Sequence, residues 1–279
     1  MRNGGRRGPR VILRPVYGVI EREVVKTFRQ RTRLVSAMVR PLIWLFVIGA
    51  GFGAVLGRAN GADYQQFLAP GVLGMTILFG AMLAALTMVY DKESGVMRML
   101  IIAPFAHYWI VVAKTIAAAL AGLIQGALLL VILAALGFLT SSANYLLLLV
   151  GMVVTAFSCA AIGALVSAFT RTLDNFAAIM NFVIFPVFFL SGALYPTAKL
   201  PFALKTAALL NPFTYSVDLL KHAMLANPAS GTTSELHAGV DVLVSAAFTL
   251  LAVLVASWRF SREQAHEPFI HTLLGKRGG

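Results

Sequence analysis

Long apolar runs separated by short polar breaks dominate this chain, and their spacing sets the elements it predicts. Over residues 14–40 the apolar side chains Tyr17, Ile20, Val24, Phe28, Val35 and Met38 step by threes and fours, with Arg31 interrupting. Glu21, Arg22, Lys26, Arg29 and Arg33 occupy the other faces. That pattern predicts an amphipathic helix in the headgroup plane, its basic side toward lipid phosphate. Apolar runs follow at 41–57, 71–90, 109–139, 145–169, 176–194 and 239–258, each near or above the roughly 20 residues that cross a bilayer. Residues 194–237 break the pattern. They are too polar and too rich in Pro to span, yet they hold apolar pieces at 202–210 and 213–225, shorter than a bilayer is thick. The expected fold is all-α, a polytopic membrane protein with six transmembrane helices, an N-terminal interfacial amphipathic helix, and short re-entrant helices on the outer side between spans 5 and 6. Three parts follow: a basic tail and surface helix (1–40), a six-helix membrane domain (41–258) and a short polar tail (259–279).

Composition sharpens the class. The chain has 279 residues, 59% hydrophobic and 12% charged, against about 25% charged in soluble domains, which excludes a sizeable soluble core. The net charge of +12 is unevenly spread, since 11 of the 23 Lys and Arg lie in the first 40 residues. Such a cluster beside a first span reports topology and anionic lipid rather than nucleic acid. Across six spans, nineteen Lys and Arg fall on one face and four on the other. The excess places both termini and residues 90–104 in the cytosol, with the chain multi-pass in the inner (cytoplasmic) membrane. The one cysteine, Cys159, sits inside an apolar run and excludes an intrachain disulfide.

Within the spans, Gly49, Gly53 and Gly57, and again Gly122 and Gly126, recur every fourth residue and clear helix faces for close packing. Gln125 and Asn181 are amides at depth, read either as glue between helices or as groups on a translocation path. Chemistry is otherwise scarce. No G-x-x-x-x-G-K-[ST] loop provides a phosphate cradle, and no H-E-x-x-H or G-x-S-x-G is present. The five histidines show no metal-ligand spacing, so neither a metal site nor a catalytic residue is expected. Asp218 and Asp241 read as capping groups or as partners of Lys221. A membrane domain of this kind takes its energy from a partner or from a gradient.

The exception is the segment from Tyr90 to Pro104, where Asp91, Lys92, Glu93 and Arg98 interrupt the apolar pattern and Lys114 follows. Such charges belong at the membrane surface, since each costs about 2.5–3.5 kcal/mol at the bilayer centre. Asp91-Lys92-Glu93-x-Gly95, then Leu100, Ala103-Pro104 and Lys114, resembles the D-R-E-x-G … L-x-x-x-P … G-K pattern of the type-2 permeases of ATP-binding-cassette exporters. A second stretch also resembles that family: Pro186, Phe188-Phe189-Leu190-Ser191-Gly192, Tyr195-Pro196, Leu200-Pro201 and Asn211-Pro212-x-x-Tyr215-x-Val217-Asp218, with Lys221 where Arg is more usual. Ala113 departs from the glycine expected before Lys114, and Val96 stands where a hydroxyl residue often follows the glycine. Together with the spans the resemblance covers nearly the whole chain.

The resemblance implies a membrane subunit that moves drug, lipid or polysaccharide, energised by a separate ATPase. Asp91, Lys92, Glu93, Gly95, Met97, Arg98, Leu100, Pro104 and Lys114 would form the coupling element that docks the ATPase. Apolar Met97, Met99 and Leu100 would fill its groove, the charges would set register, and Gly95 would allow a sharp turn. Ser191, Gly192, Tyr195, Pro196, Pro201, Asn211, Pro212, Tyr215 and Asp218 would form an outer gate. A second copy of the permease would complete the path as a homodimer in membrane lipid. No cofactor is expected in this chain, ATP being bound by the partner subunit. Sparse polar groups within the spans favour a lipophilic or amphiphilic cargo. Two other classes are weighed against this: a secondary transporter or channel, which needs ionisable residues inside the spans, and an intramembrane lipid enzyme, which needs paired His, Asp or Ser at matched depth.

Overall fold

The computed structural model describes residues 10–29, 31–56, 64–95, 108–139, 143–225 and 236–274. Among the described residues every regular element is helical. In chain order they are α1 (Arg10–Arg29), α2 (Arg31–Ile43), a π-helical turn (Trp44–Ile48), α3 (Gly49–Leu56), α4 (Tyr64–Glu93), α5 (Tyr108–Ala135), α6 (Tyr145–Phe169), α7 (Leu173–Phe189), a 3-10 turn (Thr197–Lys199), α8 (Phe202–Leu210), α9 (Pro212–Met224) and α10 (Ala238–Leu274). Helices that satisfy their own backbone are one of two solutions open to a chain in hydrocarbon.

Among the described residues five helical stretches are long and apolar enough to cross a membrane: Ala37–Ala54, α4, α5, α6 and Ala238–Arg262 of α10. The expected fifth span is α7, and at 17 residues it is shorter than the others. It starts before the apolar run because Thr172 caps it, the Thr172 hydroxyl accepting from the Asn175 N–H at 3.4 Å. It stops at Phe189, and Gly192 follows in the left-handed region at φ 76°. The short pieces at 202–210 and 213–225 are helical, as α8 and α9. Residues 259–274, expected as part of a polar tail, instead continue α10 to Leu274, consistent with the Arg, Glu, Gln and Ala that favour helix there.

The core is organised around α4. Its Leu68, Val72, Leu73, Ile77, Leu78, Ala81 and Met82 are fully buried, and it packs against α5, α6, α7 and α9. Thirty residues give it a length of about 45 Å, so its two ends lie farther apart than the roughly 30 Å of a hydrocarbon core. Small residues let α5 approach it closely. A Cβ on Gly122 would lie 2.9 Å from the Ile77 carbonyl oxygen, and one on Gly126 would lie 2.6 Å from Ile77 Cγ1. Gly49 approaches Gln65 in the same manner, whereas Gly53 meets only Tyr64 Cβ at 4.0 Å; Gly57 lies outside the described residues. Trp44, in the π turn, packs edge-on against Phe188 and Phe189 of α7 at 5.6 and 5.9 Å.

Candidate functional site

At one end of α4 three consecutive charged residues reach three different neighbours. Helical geometry turns successive side chains by about 100°, which aims Asp91, Lys92 and Glu93 in different directions. Asp91, buried, meets the ammonium of Lys114 at 2.5 Å and the Arg22 guanidinium at 3.4 Å. Lys114 lies in the second turn of α5, itself buried, and also binds Glu23 of α1 at 2.8 Å. Arg22 closes the group with a 2.8 Å contact to Glu23. Two cations and two carboxylates thus join α1, α4 and α5. Burial pushes the Glu23 carboxyl up, but Lys114 and Arg22 outweigh it, and the net result lies below the usual Glu range.

Lys92 serves a second helix end. Its ammonium donates to the Ser167 carbonyl at 2.9 Å and to those of Ala168 and Thr170 at 3.5 Å. These are carbonyls at the C-terminus of α6, where intrahelical donors run out and a cation is favoured. The Phe260 ring of α10 lies 5.3 Å from the same ammonium. Glu93, exposed, accepts from the Leu173 N–H at 2.9 Å, and Leu173 opens α7, where N–H groups lack intrahelical acceptors and a carboxylate is favoured. Gly95 then turns the chain with φ 74°, and nothing lies within 4 Å of where its Cβ would be. The end of α4 is therefore tied to α1, α5, α6 and α7 within three residues. Met97, Arg98, Leu100 and Pro104 lie outside the described residues.

At the other end the second motif makes a compact turn and hairpin. The Ser191 hydroxyl donates to the Phe188 carbonyl at 2.6 Å and accepts from the Ala193 N–H at 3.3 Å. Gly192 needs its left-handed backbone, and a Cβ there would meet Thr197 Cγ2 at 2.8 Å. Its carbonyl accepts from the buried Lys221 ammonium at 2.7 Å, which sits 4.5 Å above the Phe67 ring. The Tyr195 hydroxyl donates to the Phe189 carbonyl at 2.6 Å. Pro196 and Pro201 precede the 3-10 turn and α8, and Pro212 opens α9 with a fixed φ suited to a first helical position. Asn211 accepts from the Phe213 N–H and donates its amide to the Val187 carbonyl at 2.7 Å, tying α9 to α7. Tyr215 OH donates to the Leu209 carbonyl at 2.8 Å. Asp218 accepts from the Leu236 N–H at 3.0 Å.

The two amides at depth do not share a surface within the chain. Gln125 is buried where α5 meets Gly80 of α4, and Asn181 lies on the exposed face of α7 with Phe182 and Phe185. Sequence reasoning missed one grouping, Asp218 and His222 beside Asp241. A search for spacing among histidines alone passes over it, although Asp and His four apart share a helix face.

Comparison with known proteins matches this architecture. The family model for ABC-2 type transporters covers residues 15–225, and so includes both motifs. Nodulation protein J of Rhizobium leguminosarum bv. trifolii is 32% identical over 197 residues, 70% of this chain and 75% of that protein. The same-named protein of R. leguminosarum bv. viciae is 30% identical over 202 residues, 72% and 77% of the two chains. A ycf38 protein of Cyanophora paradoxa is 26% identical over 220 residues, 75% and 73%. With the family match spanning most of its length and five apolar helices behind it, the chain belongs to the ABC-2 type transporter family, as a multi-pass membrane subunit whose family implies an ABC ATPase partner.

Proposed function

We propose that the chain is the membrane subunit of an ATP-driven exporter that moves a lipophilic or amphiphilic cargo outward, energised by a separate ATPase docked on residues 90–104 at the cytosolic face. The observation that supports this most directly is the convergence of helix ends on Asp91, Lys92 and Glu93. A force applied to the segment after Gly95 is delivered to α4 and, through those three side chains, to α1, α5, α6 and α7. Interfaces of this kind repack between discrete states rather than deforming continuously. Charge placement supports the cytosolic assignment, since the surface helix α1, rich in Arg, joins the same end.

In this reading α7 is the sixth crossing. Its N-terminus touches Glu93 at one end of α4, and Val187 touches Asn211 in the hairpin at the other. Its about 26 Å of helix approaches the roughly 30 Å hydrocarbon thickness, and the turn 190–196 makes up the rest. The hairpin α8–α9 dips into the outer interface as the gate. An amide on an exposed apolar helix face suits a facing helix better than lipid, so the Asn181 face of α7 meets a second copy of the chain. ATP belongs to the partner ATPase.

The test is charge reversal at Glu93 in the chain co-expressed with its ATPase. Glu93→Lys places a cation at the N-terminus of α7. It is expected to leave the complex able to hydrolyse ATP while vesicle export falls at least tenfold, or to prevent co-purification. Wild-type assembly and export by this variant would overturn the coupling assignment.

A further inference from the structure

Asp218 and His222 stand one turn apart on α9, and Asp241 comes from the first turn of α10. His222 Nδ1 is 3.8 Å from Asp218 Oδ2 and 3.7 Å from Asp241 Oδ2, and a donor atom from each of the three lies within 4.8 Å of the others. Four-coordinate Zn2+ with bonds of about 2.0–2.2 Å holds its donors roughly 3.4 Å apart, so closure needs only small rotamer shifts. Asp241 supplies the second and independent observation. It is fully buried, no hydrogen-bond donor is in place at either carboxylate oxygen, and the polar groups it faces are the other two members of the cluster, the His222 imidazole and the Asp218 carboxylate. A buried carboxylate left without a partner is costly, and the costs of burying two beside each other compound. Asp218, also buried, is already oriented by the Leu236 N–H, as metal-ligating carboxylates commonly are. The His222 side chain keeps 21% exposure, enough for an ion to arrive and for water to complete the coordination.

We propose that Asp218, His222 and Asp241 bind one divalent transition-metal ion of the Zn2+ class, which fastens α9 of the hairpin to α10. One imidazole nitrogen with two carboxylate oxygens is a borderline donor set, suited to Zn2+ and Mn2+ ahead of Mg2+ or Ca2+, which prefer oxygen alone. Binding uses Nδ1 with the proton on Nε2. The 3.1 Å contact of Nδ1 with the Asp218 carbonyl oxygen is exchanged for the metal bond.

The experiment uses the full-length chain in lipid nanodiscs, free of any affinity tag and stripped with chelator, and needs no ATPase. Equilibrium dialysis against Zn2+, with separate Mn2+ arms and excess Mg2+ present, is followed by elemental analysis. One Zn2+ per chain and a rise in melting temperature on loading are expected. His222→Gln and Asp241→Asn each weaken binding by at least about tenfold, while His266→Ala, near the far end of α10, does not. Substoichiometric Zn2+ on the wild-type chain overturns the site without recourse to any variant, and leaves a proton shared between the two carboxylates as the account of their burial. Wild-type affinity in both ligand variants, or full displacement by Mg2+, overturns it equally.

Discussion

Lys114 shows how one buried charge can hold three elements. It carries two carboxylates, Glu23 and Asp91, at 2.8 and 2.5 Å, and it is nearly inaccessible. Lys114→Met would leave both carboxylates buried around an apolar side chain. Breaking a buried pair costs about 3–5 kcal/mol, so the variant is expected to melt well below wild type, and Lys114→Met/Glu23→Gln to recover part of the loss. Acid acts on the same cluster. Glu23 is held below its usual range in the folded chain, so the folded state binds fewer protons than the unfolded one. The stabilisation is complete above the ordinary Glu value of about 4.3 and fades as pH falls through the folded value. Amide hydrogen exchange should therefore report loosening of α1 below about pH 4.3, and unchanged protection there would contradict this account. The charged residues themselves were legible in the sequence as a group that cannot sit in hydrocarbon. Their partners were not, because Arg22 and Glu23 lie about 70 residues before Asp91, and nothing local couples α1 to the end of α4.

At the scale of elements, periodicity reported helices well and their ends less well. The fourth span is the helix Tyr145–Phe169, with bounds as expected from the apolar run, because Asn144 caps its start and Arg171 follows its end. The second begins seven residues earlier than expected, since residues 64–70 continue the helix with Tyr64, Phe67, Leu68, Ala69 and Pro70 buried and only Gln66 exposed. Apolar length marks where lipid is met, whereas helix length also counts turns buried against protein. Glycine spacing identified contact faces but not their closeness. Gly122 is pressed against backbone of α4, and Gly51 of α3 has open space within 4 Å. Gly122→Val is expected to force α4 and α5 apart and cost about 1–3 kcal/mol, while Gly51→Ala, with open space for its methyl group in a helix, is expected to stabilise by about 0.5–1 kcal/mol. Melting temperatures of the two variants in the same detergent decide the matter, and equal effects would mean that the α4–α5 contact is not tight.

For the whole molecule, the surface raises the question of what covers it. Phe182 is 78% exposed on α7 and Leu250 is 63% exposed on α10, and hydropathy treats the two alike. Either face satisfies a bilayer by its apolar atoms alone, which is why the sequence could not assign a dimer surface. What separates them is polarity at depth: α7 carries Asn181 one residue before Phe182, on a face that also presents Phe185 and Phe189. An amide in hydrocarbon lacks acceptors, whereas the same amide opposite its copy can pair across the two-fold axis that a homodimer requires. The chain offers a clean background for testing this, because its single cysteine, Cys159, is buried, with its thiol out of reach of oxidants. With Cys159→Ala in place, Phe182→Cys is expected to form a disulfide-linked dimer in membranes under mild oxidation, and Leu250→Cys to remain monomeric on gels. Cross-linking through Leu250→Cys with none through Phe182→Cys would move the two-fold axis to α10 and leave Asn181 facing lipid. In that arrangement the path for cargo could no longer run beside α7, the helix whose first N–H is held by Glu93.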